Sequence, residues 1–105
     1  MKTISNKSVL ENIISNGNVC LKFSAEWCGP CRVMGDNIES IENEYPEINF
    51  IEVDVDDADE DILADYKVRN IPLIIFMKDG EILSKEVGVM SVEVLKEKIV
   101  ECYGR

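Results

Sequence analysis

Cys28 and Cys31, set three positions apart in Trp27-Cys28-Gly29-Pro30-Cys31, limit what this chain can be more than any other stretch. Before them, Val19–Ser24 is largely apolar and reads as a strand. After them, Met34, Ile38, Ile41 and Tyr45 recur at helical spacing. A strand that hands over to a helix at the cysteines places Cys28 just before or at the first helical turn. Unpaired N–H groups and the helix dipole favour an anion there, and the thiolate is the form of cysteine that attacks disulfides. Pro30 suits an early helical position, because its missing N–H would have no partner. Cys31, one turn on, stays within reach of Cys28, so the two can close into a small ring and reopen. A permanent bridge over so short a loop removes little chain entropy. The pair is therefore read as a redox couple and not as a staple.

Composition narrows the rest. A length of 105 residues with 46% apolar content supports one globular domain over 1–105. No apolar run is long enough to span a membrane. Met1-Lys2-Thr3-Ile4 is too polar to open a signal peptide, so a cytoplasmic location is expected. A net charge of −10, from 21 acidic and 11 basic residues, argues against nucleic acid and anionic membranes as partners. With no histidine, no mechanism can rely on an imidazole base or ligand. Four cysteines without a signal peptide fit a reducing compartment. Zinc needs about four ligands, and no second cysteine or histidine pair completes Cys28 and Cys31, so no metal is expected. Cys20 within a core strand and Cys102 on an apolar helix stripe read as small buried hydrophobes. Asp54, Asp56, Asp57, Asp59, Glu60 and Asp61 lack the glycine and terminal glutamate of an EF-hand loop and read as a solvated edge.

Lys2–Ile4 is a weak first strand. Ser5 or Asn6 caps a helix with Val9, Leu10, Ile13 and Ile14 on its apolar side, ending near Gly17. Val19–Ser24 is a central strand, and the helix after it runs to about Tyr45, with Pro46 closing it. Ile48–Val55 is a third strand. Asp56–Asp61 is an acidic link to a short helix marked by Ile62, Leu63 and Tyr66. Pro72–Met77 is a fully apolar strand, joined to Ile82–Val87 by the hairpin signal Asp79-Gly80. Ser91 caps a last helix with Val92, Leu95, Ile99 and Cys102 inside. Helices between strands imply parallel pairing and the hairpin adds an antiparallel pair. The fold class is therefore α/β, a mixed central sheet of about five strands with helices on both faces.

Trp-Cys-Gly-Pro-Cys, the leading Phe23-Ser24-Ala25-Glu26, the strand Val53-Asp54-Val55-Asp56, Ile71-Pro72 and Val87-Gly88 together resemble the thioredoxin family over almost the whole chain. The resemblance implies the thioredoxin fold and thiol-disulfide oxidoreductase chemistry. Cys28 would attack a client disulfide and form a mixed disulfide; Cys31 would then resolve it and close Cys28–Cys31. Trp27 would shield the dithiol and touch partners, with Gly29 and Pro30 supporting the site. Ile71–Pro72 would be cis, its backbone lying against Cys28 and free to pair with an incoming extended peptide. Gly88 would lie on the same client-facing surface. No cofactor would be bound. Electrons would come from NADPH through a thioredoxin reductase, and the protein would be a monomer serving disulfide-bearing clients. A glutaredoxin fits less well, because Gly-Pro separates the cysteines and no basic glutathione pocket is visible.

Two positions depart from the family. Where thioredoxins carry a buried aspartate in the strand before the motif, this chain has Lys22. A charged lysine cannot accept the proton of the resolving thiol. Paired with Glu52 on the neighbouring strand, it would form a sign-swapped arrangement that favours thiolate and makes the couple less reducing; alternatively its stem snorkels to water and affects nothing. Where the family has a proline five residues after the second cysteine, Gly35-Asp36 stands instead, allowing a bend without forcing one. A raised potential would favour isomerase or oxidase work. A third reading is a non-catalytic binding subunit, against which the presence of both thiols and Ile71-Pro72 argues.

Overall fold

The computed structural model describes residues 1–105. Five strands form one sheet in the order β1-β3-β2-β4-β5: β1 Lys2–Thr3, β2 Asn18–Ser24, β3 Ile48–Asp54, β4 Leu73–Lys78 and β5 Glu81–Val87. Parallel pairing joins β1 to β3 and β3 to β2, while β4 runs antiparallel to both β2 and β5. This is the mixed sheet that the order of elements implies. β2 lies at its centre, paired along both edges, and six of its seven residues are buried. Such a strand carries apolar side chains on both faces, which is why Val19–Phe23 does not alternate with polar residues.

Helices α1 (Lys7–Ile14), α2 (Gly29–Ile41), α3 (Glu60–Asp65) and α4 (Val92–Tyr103) cover the sheet. Alternate residues of each strand feed two cores, because successive side chains point to opposite faces. On one face Cys20, Phe50, Ile74 and Phe76 meet Met34 and Ile38 of α2 and Leu95 and Ile99 of α4. On the other, Leu21, Phe23, Ile51 and Ile75 meet Leu10 of α1 and Ile62 of α3.

Local chemistry sets the element ends. Of the two candidate caps for α1, Asn6 takes the role: its side chain accepts from Val9 N–H at 3.0 Å. Ser91 caps α4 in the same way, at 3.2 Å to Val94 N–H. Asp79 and Gly80 both have positive φ, 50° and 85°, as a type I′ hairpin turn requires. Most strand ends differ from the sequence reading by a single residue, α1 stops at Ile14 rather than near Gly17, and three further boundaries have a clear local cause. The α-helix after the cysteines ends at Ile41, and a 3₁₀ turn over Glu42–Glu44 finishes it, because a tightened last turn satisfies carbonyls that α-geometry leaves free. Glu60 and Asp61 belong to the first turn of α3 and not to the acidic link, since carboxylates are favoured at the positive end of a helix. Pro72 stands just outside β4. Its carbonyl accepts from Gly88 N–H at 2.9 Å, and having no N–H it cannot extend the ladder on both sides.

Phe76 is fully buried between the sheet and α4. Phe76→Ala is expected to destabilise the protein by about 3–5 kcal/mol through lost burial and a residual cavity. Urea unfolding checks this, and the midpoint should fall while the slope is kept.

Candidate functional site

The site lies where β2 gives way to α2. Cys28 is the N-cap of α2, in extended conformation at φ −92° and ψ 107°. Its sulfur accepts from Cys31 N–H at 3.2 Å, so the thiol itself takes the place of a capping oxygen. Gly29 is the first helical residue and Pro30 the second, the early position where a proline loses nothing. Cys28 and Cys31 are joined as a disulfide, with Cα atoms 5.2 Å apart. Cys28 is the more exposed of the two, 5% against 1%, though both are largely covered.

Ala25 packs with the disulfide in a small apolar cluster, and Ile71 and Val55 lean against it. The Ile71–Pro72 peptide is cis. Gly88, at φ 95°, sits beside it through the Gly88 N–H to Pro72 carbonyl bond of 2.9 Å. Ile71 thus leans on the disulfide cluster, with Pro72 next to it in the chain and Gly88 tied to Pro72. Trp27 is 69% exposed, and its Nε1–H donates to Asp56 Oδ2 at 2.8 Å. Gly29 has open space where a Cβ would sit, so packing does not demand a glycine there.

Lys22 does not snorkel to water. Only 4% of the residue is exposed. Its Nζ donates to Glu52 Oε2 at 2.7 Å, and Ser24 Oγ donates to the same oxygen at 3.1 Å. Register dictates the meeting: Lys22 stands opposite Glu52, and Ser24 is two residues on, on the same face. Burial pushes the Glu52 carboxyl up, but the hydrogen bonds and charge of its partners outweigh this and hold it below its ordinary 4.5. Lys22 also explains Gly35. A Cβ there would come within 3.0 Å of Lys22 Nζ. The glycine makes room for an ammonium; α2 runs through it without a break. Lys22, Glu52, Gly35 and Cys31 line one open cleft of about 700 Å³ on this side of the sheet.

Three residues of the site are not assigned a role by the sequence reading. Asp56 belongs to a solvated acidic run, and nothing in that run distinguishes the carboxylate that the indole reaches. Gly35 shows in the sequence only as a place that allows a bend, because the approach of a side chain from another element leaves no local trace. Ser24 had a usable signal, its two-residue spacing from Lys22. The other cysteines are free; Cys20 is buried and Cys102 half-buried. Burial pushes both thiols up, away from reactivity.

The thioredoxin family model matches residues 1–101. This chain belongs to the thioredoxin family. It is 40% identical over 98 residues to the thioredoxin of Mycoplasmoides gallisepticum, covering 92% of this chain and 97% of that one. It is also similar to the thioredoxin of Mycoplasma pneumoniae, at 35% identity over 95 residues, covering 90% and 88%. The X-ray structure of Fasciola hepatica thioredoxin superposes with a TM-score of 0.88 at 33% identity, covering 97% of this chain and 99% of that one. The fold is the thioredoxin fold, and with its redox-active cysteine pair the protein is a thiol-disulfide oxidoreductase of the disulfide-reductase type.

The depressed Glu52 value carries a pH dependence. A carboxyl held lower in the folded state binds fewer protons there than when unfolded, so its contribution is complete above 4.5 and is lost as pH falls through the folded value. Glu52→Gln is expected to flatten the stability curve below about pH 4.5, measured as urea midpoints at a series of pH values.

Proposed function

We propose that residues 1–105 act as one monomeric thioredoxin domain in which Cys28 is the attacking thiol and Cys31 the resolving one. The observation that carries this is Cys28 at the cap of α2, its sulfur already receiving the Cys31 N–H at 3.2 Å. In the reduced protein the same N–H and the helix dipole stabilise a Cys28 thiolate. That thiolate attacks one sulfur of a client disulfide; a Cys28–client bond forms and the other client sulfur leaves. Cys31 then attacks Cys28, the Cys28–Cys31 bond forms, and the second client sulfur is released. The client gains two electrons and the protein becomes the disulfide form.

Trp27, Ile71, Pro72 and Gly88 frame the client surface. An extended client segment pairs with the backbone beside Pro72 while its disulfide sulfur faces Cys28. Gly29 and Pro30 start the helix at the residue that places Cys28 as its cap. Lys22 supports the site from beneath. No cofactor binds; a thioredoxin reductase drawing on NADPH returns the electrons. The cytoplasm is the setting in which such a couple is kept reduced. No helix is long and apolar enough to cross a membrane.

Reduction of a disulfide-linked protein such as insulin by a dithiol reductant tests the assignment. Cys28→Ser is expected to abolish the accelerated rate. Cys31→Ser is expected to stall after one attack and accumulate a mixed disulfide to Cys28, seen by mass spectrometry. Trapping through Cys31 in the Cys28→Ser protein would reverse the two roles.

A further inference from the structure

Lys22 is the only charged residue in the buried core of this molecule, and the exchange steps above give it no task. Three observations locate its ammonium. It is clamped by Glu52 Oε2, which also takes the Ser24 hydroxyl. It lies 3.0 Å from the place a Gly35 Cβ would occupy. It shares an open cleft with Cys31. Gly35 follows Cys31 by four residues, so the two occupy one face of α2, a single turn apart. The cation therefore sits under the turn that carries Cys31, in a gap that a glycine leaves open.

We infer that Lys22 is a positioning residue for the resolving step, its ammonium, held by Glu52 and admitted by Gly35, stabilising the Cys31 thiolate. This rests on Cys31 being the resolving thiol. In the mixed disulfide, Cys31 gives its proton to water in the cleft. The thiolate attacks Cys28 Sγ, the Cys28–Cys31 bond forms and the Cys28–client bond breaks. The client sulfur leaves as a thiolate and takes up a proton from water. A cation near the sulfur favours the charged form and an anion opposes it. The cation prevails because Lys22 is buried, whereas the Glu52 side chain is 30% exposed and better screened. Glu26, Arg32, Asp36, Glu39, Asp54 and the Met1 amine also face the cleft. The first four are exposed, Asp54 is half-buried, and the amine is paired with Glu42 at 3.3 Å. Water and pairing screen them, and none replaces Lys22.

The test is the sign of paired substitutions. In a Cys28→Ser background, the Cys31 thiolate is titrated by its ultraviolet absorbance, with Cys28→Ser/Cys31→Ser subtracting Cys20 and Cys102. Lys22→Met is expected to lower the thiolate fraction at neutral pH about tenfold. Glu52→Gln is expected to raise it, and the double variant to fall between. Gly35→Ala keeps both charges but displaces the ammonium, and is expected to act like Lys22→Met more weakly. If Lys22→Met does not fold, Glu52→Gln and Gly35→Ala decide by moving in opposite directions. Shifts of one sign, or no shift, would reduce the pair to a structural ion pair and overturn the inference. Turnover by Cys31→Ser separates this from the reading beneath it. Full turnover would remove Cys31 from the mechanism, while lost turnover with an unmoved titration would sink the Lys22 role alone.

Discussion

The pinning of β2 between two neighbours is the constraint on which the rest of the structure depends. Hydrogen bonded to parallel β3 on one edge and antiparallel β4 on the other, the strand cannot slip without turning every side chain to the wrong face. Its last residue is Ser24, and four residues later the chain is already capping α2. The cap residue is Cys28. Position along the strand therefore sets where the sulfur sits, and the helix it begins supplies the N–H that meets it. The second cysteine follows at one helical turn because the backbone has no freedom left to put it elsewhere.

The same strand brings a cation beneath that helix. Burying a lysine and a carboxylate is costly unless the geometry and the remaining hydrogen bonds are good. Here Glu52 is directly across the ladder from Lys22, Ser24 fills a second bond to the same oxygen, and no buried side-chain polar atom lacks a partner. Removing one member would leave the other charge poorly compensated, which is the circumstance in which buried pairs matter most. The acidic surplus of the chain lies largely at exposed positions, among them Asp56, Asp57 and Asp59 and the Glu26, Asp36 and Glu39 that face the same cleft, where water screens it. A strongly negative protein can thus keep a buried positive charge in the cleft that Cys31 also lines.

Much of this was legible in local residue patterns. The Cys-x-x-Cys spacing, the apolar strand ahead of it and the helical period after it placed both thiols correctly, because each rests on interactions within a few residues. The cap at Ser91, the α1 cap to within Ser5 or Asn6, and the Asp79-Gly80 turn were legible for the same reason. Helix ends were less so: whether a last turn is α or 3₁₀, as at Glu42–Glu44, turns on small differences that the tertiary surroundings settle.

What the amino-acid sequence by itself determined was the identity and spacing of the reactive groups, the order of strands and helices, and the unusual lysine before the motif. The first two follow from local covalent geometry and periodicity, and the lysine stands out only against the family pattern that the motif resembles. Only the tertiary structure decided that the Ser24 hydroxyl joins Lys22 on Glu52, that the ammonium stays buried against Gly35, which aspartate takes the Trp27 indole, and that Gly88 closes on Pro72. Each of these is a meeting of elements distant along the chain. Strand register and helix packing set such distances, and no window of neighbouring residues contains them.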